Sequence, residues 1–133
     1  MATEYDVIFI DDEATLTDIF QQYVIWKYKD WNFLTFNNSA LAHSAIISNR
    51  ISSVVWIIDM MMPHKNGSDI ARAIRTQSGD KPILLAYTAL DRRVLESNDS
   101  YRDGLPYFNH IINKAEDFSS ILSLVEVWVN NQK

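Results

Sequence analysis

Residues 54–59 read Val-Val-Trp-Ile-Ile-Asp, a run of apolar side chains that ends in a carboxylate. An uninterrupted apolar run is typical of a strand buried on both faces of a parallel sheet. Pro63, Asn66 and Gly67 then indicate a turn, so Asp59 is expected at the open end of a central strand. Burying a carboxylate without a partner is costly, and packing alone therefore does not explain Asp59.

Predicted strands and helices alternate along the rest of the chain. The predicted strands are residues 5–10, 31–36, 54–58, 83–87 and 107–112. Helices with an apolar side are predicted to contain residues 16–23, 39–46, 70–74 and 118–129, and a polar helix is predicted at residues 91–101. Five such units predict an α/β fold in one domain, residues 1–133, with a parallel sheet, helices on both faces and a doubly wound topology.

Some local expectations follow from the same patterns. Ser39 is the expected cap of the second helix. In the first helix, helical spacing predicts a buried face formed by Leu16, Ile19, Phe20 and Tyr23. Among the tryptophans, a core or half-buried position is expected for Trp26, Trp31 and Trp56.

The composition bounds the class of protein. The 133 residues include no cysteine, which excludes disulfides, thiolate metal sites and thiol nucleophiles. The net charge of −5 and the scattered basic residues argue against nucleic-acid binding by this domain. No apolar run reaches the length of a membrane span and no signal-peptide pattern is visible, so we expect no membrane contact and a cytoplasmic location.

Five polar side chains fall at, or just after, the carboxyl ends of the predicted strands. They are Asp11, Asp12, Asp59, Thr88 and Lys114. In an open α/β sheet these strand ends share one edge, where ligands bind, so the five side chains are expected to converge. Three carboxylates in one place repel one another unless a cation neutralises them or some take up protons. Mg²⁺ is the expected cation, because it prefers oxygen ligands and often binds carboxylates together with phosphate oxygens.

This set of residue types suits phosphoryl transfer. Lys114 supplies a positive charge and Thr88 a hydroxyl donor for the oxygens of a phosphoryl group. The nucleophile is then a carboxylate that forms an acyl phosphate, and Asp59 is the best candidate because it ends the central strand beside an open turn. Asp11 and Asp12, a pair on the neighbouring strand, are better suited to holding metal.

Each of these residues taken alone also has a structural explanation. Asp12 or Glu13 could cap the first helix. Thr88 could cap a later helix, and Lys114 could be an ordinary surface lysine. The functional interpretation therefore depends on the set as a whole.

Four segments resemble the successive signatures of response-regulator receiver domains, the phosphoacceptor modules of two-component systems. They are VIFIDDE (7–13), VVWIIDMMMPHKNG (54–67), PILLAYTA (82–89) and INK (112–114). Each segment alone is a weak signal, but their order and spacing together are specific and extend from about Asp6 to Val129. The resemblance implies a five-stranded sheet in the order 2-1-3-4-5 and an acceptor domain rather than a turnover enzyme.

The resemblance also implies a role for each site residue. The phosphoacceptor corresponds to Asp59. The metal ligands correspond to Asp11, Asp12, Asp59 and the backbone carbonyl of Met61, with Asp11 holding the Mg²⁺ ion through water. Thr88 corresponds to the hydroxyl that turns towards the phosphoryl group, and Lys114 to the lysine that contacts its oxygens.

Three departures from the family pattern fall in one region. Ala115 follows Lys114 where the family has a proline after a cis peptide, so we expect a trans bond here. Ile111 stands where the family usually has an aromatic residue, and Tyr107 or Phe108 are the candidates to replace it. The stretch before Lys114 is also longer than in the family pattern.

Two kinds of partner are expected. The resemblance implies a histidine kinase or a histidine phosphotransfer protein as the phosphodonor. In the last helix, the apolar stripe that would cover the sheet consists of Ile121, Leu122, Val125 and Val129. Leu124, Val127 and Trp128 lie beyond that stripe, which favours a contact surface for an effector protein or a second copy of the chain. The alternative is that Trp128 folds back over the rim of the core.

Three other functions are compatible with parts of the sequence. A Mg²⁺-dependent phosphohydrolase with an aspartyl nucleophile would usually carry a second Asp at the position of Met61. A flavodoxin-like FMN binder would need a Ser-, Thr- or Gly-rich phosphate loop where this chain has Asp11 and Asp12. A receiver-shaped interaction module with little or no phosphorylation would explain Ala115 and Ile111, but not the intact acidic set.

Overall fold

The structure is a computed structural model that describes residues 2–132, so residues 1 and 133 of the predicted domain lie outside the described range. Within that range the strands are β1 (Thr3–Ile10), β2 (Phe33–Phe36), β3 (Ile51–Asp59), β4 (Ile83–Thr88) and β5 (His110–Asn113). The helices are α1 (Ala14–Lys27), α2 (Ser39–Ile47), α3 (Gly67–Ser78), α4 (Arg92–Ser97), α5 (Asp99–Arg102) and α6 (Phe118–Asn131). A 3₁₀ turn spans Leu105–Tyr107.

The strands form one parallel sheet in the order β2-β1-β3-β4-β5. The predicted fold class is therefore confirmed, together with the strand order that the family resemblance implied. The apolar run at residues 54–58 lies in β3, the central strand, which pairs with β1 on one side and with β4 on the other. Because all the strands are parallel, their carboxyl ends lie along one edge of the sheet.

Alternating side chains of the strands form two cores, one on each face of the sheet. On the first face, Phe9 of β1 packs with Phe20 of α1 and with Leu122 of α6. On the second face, Trp56 of β3 lies in one cluster with Ile70 of α3 and with apolar residues of α2. Helices therefore cover both faces, as predicted.

A small third core lies beside the carboxyl end of β3. Met60, the residue after Asp59, is fully buried there with Ala86 of β4 and Leu95 of α4. The half-buried residues that pack around this core are Leu90, Tyr101, Leu105, Phe108 and Ile111. The backbone that leaves Asp59 is therefore packed directly against the segment between β4 and β5.

The helix predicted at residues 91–101 is divided into the two short helices α4 and α5. Asn98 between them is extended, with φ −110° and ψ 119°. Its side chain accepts a hydrogen bond from the Ser100 N–H at 2.9 Å and so starts α5 instead of continuing α4. A local side-chain bond thus interrupts the single polar helix that was predicted here.

The fifth strand is shorter than the predicted strand at residues 107–112. The N–H groups of Tyr107 and Phe108 donate to the carbonyls of Gly104 and Leu105 within the 3₁₀ turn, at 3.1 and 3.0 Å. Those two residues cannot also pair with β4 through the same N–H groups, so β5 begins at His110.

Helix α1 faces the sheet with a different set of side chains from the predicted one. Its buried residues are Thr17, Phe20 and Val24, which recur at helical spacing. Ile19, predicted to be buried, is 46% exposed, and Trp26, predicted to be half-buried or core, is 67% exposed. The helix is therefore rotated relative to the predicted stripe, and these two predictions are wrong.

Helix α6 covers the sheet with the predicted stripe. Ile121, Leu122, Val125 and Val129 are all buried. Leu124 and Val127 are 41% and 56% exposed. Trp128 is half-buried, because it packs against the first core and stacks on His110 with 5.5 Å between the ring centroids. Trp128 therefore lies at the rim of the core, as the alternative prediction had it.

The segment after α5 is fastened to the first turn of α3. The Asn66 side-chain amide donates to the carbonyl of Ser100 at 3.2 Å, and the Ser68 hydroxyl donates to that of Tyr101 at 3.1 Å. Gly104 packs so closely on this turn that an added Cβ would lie only 2.6 Å from the Cα of Ser68. A glycine is needed at Gly104 because the backbone of α3 occupies the space of a side chain.

Replacing Gly104 by alanine is expected to lower the free energy of unfolding by about 1–3 kcal/mol, because the methyl group must displace the backbone of α3. Urea denaturation measures the loss. Asp103→Ala, at the exposed neighbouring position, is the matched control and should change stability by less than about 0.5 kcal/mol. Equal stability of the two variants would show that the contact at Gly104 is loose.

Candidate functional site

The structure brings the predicted site residues together at the carboxyl edge of the sheet. Asp11 directly follows β1, and Asp59 is the last residue of β3. Thr88 ends β4, and Lys114 directly follows β5. The Lys114 N–H donates to the carbonyl of Thr88 at 2.9 Å, which holds the loop after β5 beside the end of β4. The parallel pairing of the strands therefore places residues that are distant in sequence around one site.

Three carboxylates form the centre of this site. Asp11 is fully buried, Asp59 is 2% exposed, and Asp12 is exposed at the mouth. One carboxylate oxygen from each lies within 4.8 Å of the other two. The site is thus a buried acidic pair with a third acid open to solvent.

Backbone N–H groups orient the two buried carboxylates. Asp11 Oδ1 accepts a hydrogen bond from the N–H of Glu13 at 2.9 Å, and Asp59 Oδ1 accepts one from the N–H of Met61 at 3.1 Å. In each case the N–H belongs to the residue two positions later. The other oxygen, Oδ2, faces the side chain of Lys114 in both residues.

Lys114 is the cation of the site. Its Nζ lies 3.0 Å from Asp11 Oδ2 and 3.5 Å from Asp59 Oδ2, and its side chain is only 17% exposed. The ammonium group also lies 5.3 Å from the ring centroid of Tyr87, a cation–π arrangement. A lysine this enclosed is not the ordinary surface lysine that the sequence alone allowed.

Glu13 is a site residue that sequence reasoning treated only as a possible helix cap. It occupies the position before α1, but its side chain makes no capping hydrogen bond. Instead, its Oε1 lies 3.4 Å from Lys114 Nζ. The available signal was its place as the third acid of the VIFIDDE segment, next to the predicted metal ligands.

The electrostatics of the site disfavour a fully ionised cluster. Burial raises the pKa of Asp59 to about 8, and the neighbouring charge of Asp11 adds to this effect while Lys114 opposes it. Burial also raises the pKa of Asp11. Burial disfavours the charged form of Lys114, but its hydrogen bond to Asp11 and the charge of Asp59 outweigh burial and raise its pKa.

The residues present fit a divalent cation. Asp11, Asp12 and Asp59 offer hard oxygen donors, which is the ligand type that Mg²⁺ prefers. Three carboxylates face the single charge of Lys114, so the fully ionised cluster carries net negative charge that a cation would neutralise. Met61 lies beside the site through the bond of its N–H to Asp59, while its side chain is 50% exposed.

Thr88 is buried at the same edge, and its hydroxyl oxygen accepts a hydrogen bond from the N–H of Leu90 at 3.0 Å. It does not cap the following helix, because the side chain of Asp91 does so by accepting from the N–H of Val94. The purely structural explanation of Thr88 as a helix cap is therefore wrong.

The structure also describes the residues near Lys114 that depart from the family pattern. None of the peptide bonds in the described range is cis, so the bond to Ala115 is trans, as expected. Ile111 is half-buried against the third core. Tyr107 and Phe108 pack on the second core beside α3, and Phe108 also touches the third core.

Known proteins resemble this chain in fold and, over part of its length, in sequence. No protein-family model matches the chain. A stretch of 78 residues, 59% of this chain, is 32% identical to response regulator SaeR of Staphylococcus aureus, of which it covers 32%. The chain thus spans about a third of the length of the curated relatives it matches.

Solved structures match nearly the whole chain. The receiver domain of Francisella response regulator 1452 has a TM-score of 0.75 at 18% identity, over 97% of this chain and 99% of that one. Response regulator TrrA of Thermotoga maritima, solved in complex with Mg(2+)-BeF, has a TM-score of 0.71 at 18% identity, over 93% and 98%. A chain described as adenylate cyclase from Rhodopirellula baltica has a TM-score of 0.72 at 17% identity, over 98% and 89%.

The fold is that of response-regulator receiver domains, and the resemblance that the sequence motifs indicated is confirmed. The acidic cluster lies at the carboxyl ends of β1 and of the central strand β3, where the motifs predicted it. Between residues 2 and 132, no helix combines the length and the apolar character needed to cross a membrane.

Stability in metal-free buffer is expected to fall as the pH rises from about 4 to about 8. An unfolded Asp releases its proton near pH 4, whereas folded Asp59 holds it until about pH 8, so raising the pH through this window favours the unfolded state. Asp59→Asn removes this penalty and should raise the melting temperature at pH 8 by about 4 °C or more.

Thermal unfolding between pH 5 and pH 9 in EDTA measures this effect. Asp18→Asn, which changes an exposed carboxylate on α1, is the control and should follow the wild-type profile. If the wild type and Asp59→Asn lose stability equally over this window, the penalty does not arise at Asp59.

Proposed function

We propose that this chain, residues 1–133, is a receiver domain that accepts a phosphoryl group on Asp59 in a Mg²⁺-dependent reaction. The observation that carries the proposal is the enclosure of Lys114 between the buried carboxylates of Asp11 and Asp59, at the edge of a receiver-type fold. The negative charge of such a site favours the binding of a cation. The site also offers a nucleophilic carboxylate oxygen beside the fixed positive charge of the lysine.

In this proposal each residue acts on a different part of the reaction. Bound Mg²⁺ would be held by Asp12, Asp59, the Met61 carbonyl and, through water, Asp11, and it would neutralise charge on the phosphoryl oxygens. An oxygen of Asp59 attacks phosphorus while the bond from phosphorus to the donor breaks.

Two further residues would stabilise the transferred group. Lys114 exchanges its contacts with the carboxylates for the phosphoryl oxygens, where its charge offsets the charge of the transferred group. Thr88, at the end of the adjacent strand, supplies a hydroxyl donor to the same oxygens once it turns towards them.

The proposed donor is a phosphorylated histidine of a histidine kinase or of a histidine phosphotransfer protein. This donor class is the one that the resemblance to receiver domains implies. We place the reaction in the cytoplasm, where kinases draw on ATP for the phosphoryl group.

We propose an acceptor rather than a turnover enzyme. The aspartyl phosphohydrolases would place a second acid two residues after the nucleophile, whereas this chain has the exposed thioether of Met61 there. The flavin-binding alternative is disfavoured because the loop after β1 carries Asp11 and Asp12, which repel phosphate.

The outer face of α6 is the proposed contact surface for a second copy of the chain. Leu124 and Val127 expose apolar side chains that do not pack on the sheet, because the buried stripe of α6 already covers it. Exposed apolar side chains of this kind often mark contact surfaces. Trp128 joins this surface only by its outer edge, because its ring packs on the core and on His110.

Incubation with Mg²⁺ and acetyl phosphate is expected to add one phosphoryl mass to the wild type, measured by intact mass spectrometry. Asp59→Asn should gain this mass far more slowly than the wild type or not at all, because the amide is a poor nucleophile. Asp30→Asn, an exposed carboxylate next to β2, is the matched control and should be labelled normally. Labelling of Asp59→Asn at the wild-type rate would place the acceptor elsewhere.

Sedimentation velocity tests the proposed surface on α6. The phosphorylated wild type should form dimers, and Leu124→Ser/Val127→Ser should reduce them to monomers. Leu41→Ser/Ile47→Ser on α2 removes two apolar residues of similar exposure and should leave the dimers intact. A wild type that stays monomeric when phosphorylated, or a double α6 variant that still dimerises, contradicts this surface.

A further inference from the structure

We infer that Ser39 is a positioning residue for the metal site, although it belongs to α2 and contributes no ligand. This role rests on the proposed function, because it concerns the loop that carries the carbonyl of Met61. Ser39 is 2% exposed, and its hydroxyl contacts the loop between Asp59 and α3.

The loop contains a strained turn at His64. The φ angle of His64 is +69°, in the left-handed region that favours glycine. The N–H of Lys65 donates to the carbonyl of Pro63 at 2.8 Å, across His64. A bond of this kind around a residue with positive φ defines a γ-turn of the rarer, strained form. A histidine adopts it only where the surroundings hold it there.

The hydroxyl of Ser39 supplies that constraint. It donates to the carbonyl of Pro63 at 2.5 Å and accepts a hydrogen bond from the N–H of Lys65 at 3.2 Å. The same two backbone groups form the γ-turn bond, so one buried hydroxyl closes the turn from both sides. Ser39 is free for this task because Asn38, not Ser39, caps α2.

The ends of the loop are held by different contacts. The N–H of Gly67 donates to the carbonyl of Met60 at 3.1 Å, and a side chain at Gly67 would collide with Met60. The N–H of Met61 donates to Asp59. Ser39 is thus the contact that fixes the middle of the loop, and its loss should let the strained turn relax and move the carbonyl of Met61.

Ser39 lies close in sequence to a residue that contacts the other side of the proposed metal site. The N–H of Asp11 donates to the carbonyl of Phe36, the last residue of β2, at 3.0 Å. Phe36 and Ser39 are three positions apart, so the carbonyl of one and the hydroxyl of the other contact the residue after β1 and the loop after β3 from the same part of the chain. The two sides of the proposed metal site therefore share one support.

The first measurement is made without metal. In EDTA, Ser39→Ala should speed amide hydrogen exchange at Lys65, because that N–H loses one of its two acceptors. Asn38→Ala is the matched control: it weakens the start of the same helix but does not touch the loop, so Lys65 should exchange at the wild-type rate.

The second measurement is Mg²⁺ affinity by titration calorimetry. Ser39→Ala should weaken binding by about tenfold, as loss of an outer contact to a metal site commonly does. Asn38→Ala should bind Mg²⁺ as the wild type does. Asp12→Ala removes a proposed metal ligand, and its decrease in Mg²⁺ affinity is the reference for the loss of a direct contact. Ser39→Ala/His64→Gly should recover most of the affinity, since glycine adopts the positive φ without support.

Each contrary result has a definite meaning. Unchanged exchange at Lys65 in Ser39→Ala overturns the positioning role, and so does unchanged Mg²⁺ affinity in a chain whose wild type binds the ion. Two other results would show that Ser39 only stabilises α2. One is a loss of Mg²⁺ affinity in Asn38→Ala equal to that in Ser39→Ala, and the other is no recovery of affinity in Ser39→Ala/His64→Gly. A wild type that binds no Mg²⁺ overturns the proposed function itself, and this role with it.

Discussion

The burial of the Asp59 carboxylate is the constraint on which the site depends. This group is 2% exposed and lies beside a second buried carboxylate, Asp11, so both can be charged only with cations close by. Lys114 supplies one such cation within 3.5 Å of each. The burial itself comes from the central place of β3, which has a strand on each side and a helical layer on each face.

The fold and the composition of the site could be predicted because both depend on strong, short-range patterns. A five-residue apolar run such as residues 54–58, bounded by turn residues, is typical of a strand covered on both faces of a sheet. Once the strands are known to be parallel, the residue after each strand must lie at the same edge. The position of Asp11, Asp59 and Lys114 relative to the strands therefore predicts that they converge, although it does not predict the contacts of Lys114 with the two carboxylates.

The parts that could not be predicted are decided by contacts between distant segments or by single side chains. Ile19 has the right spacing for a buried stripe, but α1 packs on the sheet through Thr17, Phe20 and Val24, which leaves Ile19 towards solvent. Asn98 divides a helix through one hydrogen bond to Ser100. The contact of Ser39 with Pro63 joins residues 24 positions apart, and no periodicity in the sequence signals it.

The third core has a mechanical consequence. Met60 is fully buried against Leu95, and close-packed interiors are stiff, so a displacement of the backbone at Asp59 presses directly on α4. The bonds from Asn66 and Ser68 to residues 100–101 fasten the far side of the same assembly to α3. The loop after Asp59 and the α4–α5 segment are thus joined at two places, through the buried side chain of Met60 and through the first turn of α3, so we expect a rearrangement of one to be transmitted to the other.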